Sequence, residues 1–142
     1  MKQFSEGSSS LLILERGEEL IESLETFAAQ QELTAGWLSG GLGGADKLTI
    51  GFYDIEAKDY EWRTYDEPLE ILSLTGNVAI VDGRPFWHVH GVFSGRDFGA
   101  FCGHVKELEI GLTGELQITS LPTPLTRQYD SDTGLRLICP AG

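Results

Sequence analysis

The chain carries three histidines, and all of them fall in one stretch: His88 and His90 in Phe86-Trp87-His88-Val89-His90, and His104 in Cys102-Gly103-His104. Side chains on a strand alternate between faces, so the H-x-H pair puts two imidazoles on one side. A third histidine fourteen residues later can join them from the returning strand of a hairpin. With Gly95-Arg96-Asp97 as a three-residue loop, Ser94 is expected to pair with Phe98, His88 to lie across from His104, and His90 to face Cys102. Directly opposed Cβ atoms are about 4.5–5.5 Å apart, close enough for two imidazoles to share an ion. A one-residue slip would send His104 to the other face. The register therefore decides whether there is a site at all.

Three neutral imidazoles suit Zn²⁺, with Ni²⁺, Co²⁺ and Fe²⁺ as alternatives. Three protein ligands leave one coordination position open, the arrangement of catalytic rather than purely structural zinc. Cys102 as a fourth ligand would close the site and make it structural. A cysteine on a half-buried strand is otherwise a small hydrophobe. Glu70 is a second candidate, because it interrupts the apolar Leu69–Leu74 run, where a bare carboxylate is costly. It needs a basic partner, backbone donors, or a role at the metal site as general acid/base. Against that stands an ordinary solvated or ion-paired edge residue.

The elements that would position these groups can be read from hydrophobic period. Leu11-Leu12-Ile13-Leu14 reads as a first strand. Leu20, Leu24, Phe27 and Ala28 form one stripe of an amphipathic helix from Glu18 to about Gln31, with Glu18 and Glu19 in its first turn, where the helix dipole favours acids. The rest reads as strands: Ala35–Leu42, Leu48–Tyr53, Tyr60–Tyr65, Leu69–Ile80, Phe86–Ser94, Phe98–Val105, Glu109–Thr113, Glu115–Leu121 and Leu135–Cys139. Asp82-Gly83 is a strong hairpin turn signal. Apolar residues on both faces of Leu69–Ile80 predict burial on both sides, by the helix and by another subunit. The pattern is that of an α+β domain, mostly antiparallel sheet with one main amphipathic helix, spanning residues 1–142 as a single unit.

The bulk properties narrow the functions. A net charge of −12, from 10 basic and 22 acidic residues, repels phosphate backbones and argues against direct DNA binding. No apolar h-region opens the chain and no apolar run is long enough to span a bilayer, so a cytoplasmic location away from membranes is expected. The two cysteines, Cys102 and Cys139, form neither a C-x-x-C motif nor a disulfide framework. Gly40-Gly41-Leu42-Gly43-Gly44-Ala45 suggests a phosphate loop, but a strand follows it rather than a helix N-terminus, so these glycines are expected to serve a bend or a close subunit approach. Gly83-Arg84-Pro85 is a fragment of an AT-hook core, but Asp82 stands where the hook has arginine.

In order and spacing, Arg16-Gly17-Glu18-Glu19-Leu20, Gly41-Leu42-Gly43-Gly44-Ala45, Glu70-Ile71-Leu72-Ser73-Leu74-Thr75-Gly76, His88-Val89-His90 and Gly103-His104 resemble the PPC (plants and prokaryotes conserved) domain. The resemblance covers about Phe4 to Ile138 and points to the free-standing prokaryotic type without an AT-hook. It implies a compact α+β subunit assembled as a homotrimer, with a divalent metal on His88, His90 and His104. In plants the domain follows AT-hooks and mediates association, and prokaryotic members are often labelled DNA-binding by that analogy. Two functions follow. One is a trimeric metal-binding protein, or a metalloenzyme acting on an unidentified small molecule. The other is a DNA-associated regulatory module acting through its oligomer.

Overall fold

A computed structural model of the protein describes residues 1–140, all within one mostly β domain; the last two residues of the expected 1–142 unit lie outside the described residues. The elements are β1 (Lys2–Glu6), β2 (Ser9–Glu15), α1 (Leu20–Gln30), β3 (Gly36–Asp54), β4 (Asp59–Tyr65), β5 (Leu69–Val81), β6 (Arg84–Ser94), β7 (Ala100–Ser120), β8 (Leu125–Tyr129) and β9 (Arg136–Pro140). Pairing runs from β7 to β3, β3 to β5, β5 to β6 and β6 back to β7, so four strands close on themselves. The β1–β2 hairpin extends the far end of β7, and β4 adds to the second half of β3. Every pairing is antiparallel except a parallel bridge of Ile80 with Thr126, which makes the sheet mixed.

The helix forms where its stripe was expected, and Leu20, Leu24, Phe27 and Ala28 are its buried residues. It starts at Leu20 rather than Glu18, because Glu19 serves as its N-cap. The Glu19 carboxylate accepts from the backbone N–H of Glu22 at 2.7 Å and from that of Leu108 at 3.0 Å. One side chain thus caps the helix and fastens it to β7. On the inner face of β6, Trp87 donates its Nε1–H to the Leu24 carbonyl at 2.9 Å.

Two expectations of separate strands are corrected. Ala35–Leu42 and Leu48–Tyr53 belong to one strand, β3, which runs through the glycine cluster without a turn. Bulges there absorb the close approach of β7: a methyl group at Gly43 would sit 1.9 Å from the Thr113 carbonyl oxygen, and its φ of +148° suits glycine. The three segments expected between Phe98 and Leu121 are likewise one strand, β7, whose first half pairs with β6 and whose second half pairs with β2. Phe98 stands outside it with a φ of +61°. The first half of β5 is not apolar on both faces. Leu69, Ile71 and Leu74 are buried, and a bulge between Ile71 and Ser73 keeps them inward while Glu70, Ser73 and Thr75 face out, leaving Leu72 as the exposed apolar residue; only farther along, at Val78 and Ala79, are both faces buried.

Where β5 meets β6 the backbones lie close. A methyl group at Gly76 would fall 2.4 Å from the His88 carbonyl oxygen, whereas one at Gly40 meets nothing within 4 Å. Gly76→Ala is therefore expected to destabilise the protein by about 1–3 kcal/mol, and Gly40→Ala to change stability by less than about 0.5 kcal/mol. Urea unfolding of the two variants checks this, and equal effects would contradict the packing described.

Candidate metal centre

Two turns set the register of β6. Asp82 and Gly83, with φ of +50° and +80°, form a two-residue connection of the kind that matches strand twist, and it pairs Val81 with Arg84, Asn77 with His88 and Thr75 with His90. On the other side the loop to β7 spans residues 95–99 rather than three residues. Phe98 N–H donates to the Gly95 carbonyl and Gly99 N–H to the Asp97 carboxylate, each at 3.0 Å, and the turn thus needs two more residues than expected. Ser94 accordingly pairs with Ala100, Val92 with Cys102, and His90 with His104. The expected His88–His104 and His90–Cys102 pairs are corrected by a shift of two. An even shift preserves the face, and so His104 still joins His88 and His90.

The three side chains converge: one potential ligand atom from each lies within 4.8 Å of the others. His88 Nε2 and His90 Nε2 are 3.0 Å apart, and the ring centroids of His104 lie 5.1 Å from His88 and 5.4 Å from His90. Tetrahedral ligands at about 2.0–2.1 Å from zinc are about 3.3 Å from one another, so the trio needs only a small closure to hold an ion. His104 Nδ1 is buried without a hydrogen-bond partner, a costly state for a polar atom that ligation to a cation would relieve. Burial, reinforced by the neighbouring imidazoles and Arg127, pushes the His88 pKa down to about 4. Burial, with His90 and Arg127, does the same to His104, and burial lowers His90 as well. At neutral pH the imidazoles are uncharged, as metal ligation requires. Cys102 lies one step along the same face, exposed, and is not part of this cluster.

Aromatic rings from β4 wall the centre. Gly51, flanked by Trp62 and His104, has no side chain, and the rings of Tyr60 and Trp62 occupy the space a methyl group there would fill, 2.7–2.8 Å away. Tyr60 consequently packs on His104 at 4.9 Å and stacks on Trp62 at 4.6 Å. The cleft above the histidines is about 680 Å³. Sequence reading missed these residues, although Tyr60 and Trp62 at i, i+2 on a strand were a visible signal. It also missed β8, whose Arg127 approaches Asn77 beside His88.

Glu70 is not brought to the histidines. It pairs with Ser94 and Gly44, points to solvent, and lines a separate cleft of about 640 Å³ with Arg16, Arg96 and Phe98. Outward alternation on the strand, rather than a buried partner, accommodates its charge.

The pKa values of His88 and His104 imply a pH window. The unfolded chain takes up protons on both below about pH 6.5, whereas the folded, metal-free chain resists until about pH 4. The unfolded state binds more protons in between, so stability is full above about 6.5 and falls as the pH drops toward 4. Thermal unfolding in chelator should show this loss, and a His88→Ala/His104→Ala variant should show a flatter profile. A wild-type melting temperature constant across the window would contradict it.

The whole chain, compared with known proteins, has clear relatives. The Plants and Prokaryotes Conserved (PCC) domain model matches residues 1–122, ending before β8. A metal-containing protein from Archaeoglobus fulgidus is 34% identical with a TM-score of 0.85, covering 96% of this chain and 98% of that one. A plant- and prokaryote-conserved protein from Pyrococcus horikoshii is 27% identical with a TM-score of 0.86, covering 98% and 96%. A Ralstonia eutropha protein, provisionally called DNA-binding, is 26% identical with a TM-score of 0.90, covering 99% and 96%. The chain is also 32% identical over 120 residues to the Bifunctional protein GlmU of Synechococcus sp. (strain JA-3-3Ab); the match takes in 83% of this chain but spans only 18% of that relative. With the family model matching most of its length, the chain belongs to the Plants and Prokaryotes Conserved domain family.

Proposed function

We propose that this protein binds one divalent transition ion per chain, zinc being the best fit, through His88, His90 and His104, and that it works as a homotrimer on a small molecule. The observation that carries the reading is the gathering of three neutral imidazoles from two neighbouring strands on one face of the sheet. The metal-containing Archaeoglobus fulgidus relative supports it. A bound divalent ion would supply Lewis acidity in a cleft with aromatic walls. The chain's own residues hold the ion, exclude water with Tyr60 and Trp62, and leave the cleft open on one side.

Exposed apolar side chains support assembly. Leu72, Leu112 and Phe98 are 51%, 72% and 91% exposed around the second cleft, an apolar surface of the kind a symmetric interface covers. Glu70 lies on that same surface, so as a general acid/base it would serve a histidine centre only from a neighbouring subunit. Among the described residues no helix is long and apolar enough to cross a membrane.

The DNA-associated reading draws on the name of the Ralstonia relative, and the net charge of −12 weighs against it. Non-specific DNA affinity comes almost entirely from basic residues neutralising phosphates. An anisotropy titration with duplex DNA at physiological salt should give no measurable binding. Sub-micromolar affinity that weakens steeply with salt would contradict this.

Elemental analysis combined with light scattering tests the main reading. The expected result is about one metal ion per chain and three chain masses per particle, with metal lost in His88→Ala/His104→Ala and retained in Glu70→Gln. Full metal content in the double-histidine variant, or a stable monomer at micromolar concentration, would refute the corresponding half.

A further inference from the structure

The β8–β9 hairpin lies beyond residue 122, where the match to the family model ends, yet it is built onto the histidine centre. On one side it bridges to β5 through Thr126 and Ile80. On the other, the connection between its strands meets the β3–β4 region: the Tyr53 hydroxyl donates to the Thr133 carbonyl at 2.7 Å and Lys58 Nζ to the Ser131 carbonyl at 2.6 Å. The hairpin therefore reaches across the outer face on which the histidines stand, and Leu135 lines their cleft.

Arg127 is the residue this hairpin contributes. Its Nη2 donates to the Asn77 Oδ1 at 2.7 Å, its Nη1 donates to the Arg136 carbonyl at 2.9 Å, and its guanidinium lies 5.6 Å from the Phe86 ring centroid. Asn77 is the cross-strand partner of His88, and Phe86 precedes His88 by two on the same face, so the cation sits beside His88. It is half-buried, its Nε is buried without a partner, and it takes part in none of the ion pairs among the described residues. In a chain with 22 acidic and 10 basic residues, an arginine beside His88 that forms no ion pair with a carboxylate is a notable omission.

We propose that Arg127 is the anion-recognition residue of this centre, and that the site takes a small organic ligand bearing a carboxylate. The inference rests on the reading that the histidine trio holds a divalent ion. Beside such an ion, a guanidinium adds like charge in a half-buried space, and an anionic group from the ligand relieves both. Two of the five guanidinium donors are already engaged. With Nε buried, one N–H remains on each of Nη1 and Nη2, a pair that suits the two oxygens of a carboxylate, and Tyr60, Trp62 and Leu135 offer apolar surface for an organic body.

The full-length protein loaded with Co²⁺ tests this, because cobalt's visible absorption reports ligands at the metal independently of any activity. Cobalt content is measured first, and then acetate and acetamide are titrated at constant ionic strength into wild type, Arg127→Met and Arg127→Lys. Acetate should perturb the spectrum with an affinity about tenfold weaker in Arg127→Met. It should bind Arg127→Lys, which keeps the charge but not the paired hydrogen bonds, about threefold more weakly than wild type and still more tightly than Arg127→Met, and acetamide should not bind. Equal acetate affinity in wild type and Arg127→Met would overturn the proposal and leave the metal reading standing. If Arg127→Lys loses acetate as fully as Arg127→Met, the residue is a clamp for the hairpin, and the proposal falls. A wild type that takes up no cobalt would overturn the metal reading, and this inference with it.

Discussion

The alternation of β6 is the constraint on which the rest of the site depends. Trp87, Val89 and Phe93 are 3%, 0% and 0% exposed on its inner face, and each such burial contributes about 1.5–3 kcal/mol. A slip of one residue would expose all three, so the hydrophobic core fixes which way His88 and His90 point. Pairing on both edges, with β5 through the Asp82-Gly83 turn and with β7 through the longer loop, sets the register twice over. The site inherits its precision from the core beneath it.

On the outer face the consequences are electrostatic. Three imidazoles crowded beside aromatic rings resist protonation, and that keeps the outer face free of histidine charge at neutral pH. Positive charge is brought to the face by Arg127 instead, from a part of the chain beyond the family match. The histidine trio thus lies within the stretch that the family model matches, and Arg127 lies on the hairpin beyond it.

The legible parts of the fold were the periodic ones. The helix stripe from Leu20 to Ala28 and the shared face of His88 and His90 follow from spacing alone. The loop before β7 was read two residues short, and the face survived only because the error was even. The strand expected to end after Val105 runs on, and so do those expected to end before Gly43 and Gly114. A glycine permits either a turn or a bulge there, and the partner strand decides which. Least legible was the meeting of Arg127 with Asn77, fifty residues apart, since no local pattern encodes a contact made by a hairpin folding back over a sheet. Glu70 misled because an isolated carboxylate in an apolar run signals a site and an outward-facing strand position equally well.

The most direct measurement is an anomalous difference map from a crystal of protein purified without chelator, collected on both sides of the zinc edge. The expected result is one peak per chain about 2.0–2.1 Å from a nitrogen of each of His88, His90 and His104. A peak held by Cys102 or by surface carboxylates, or a histidine cluster without one in protein supplied with zinc, would contradict the metal centre described.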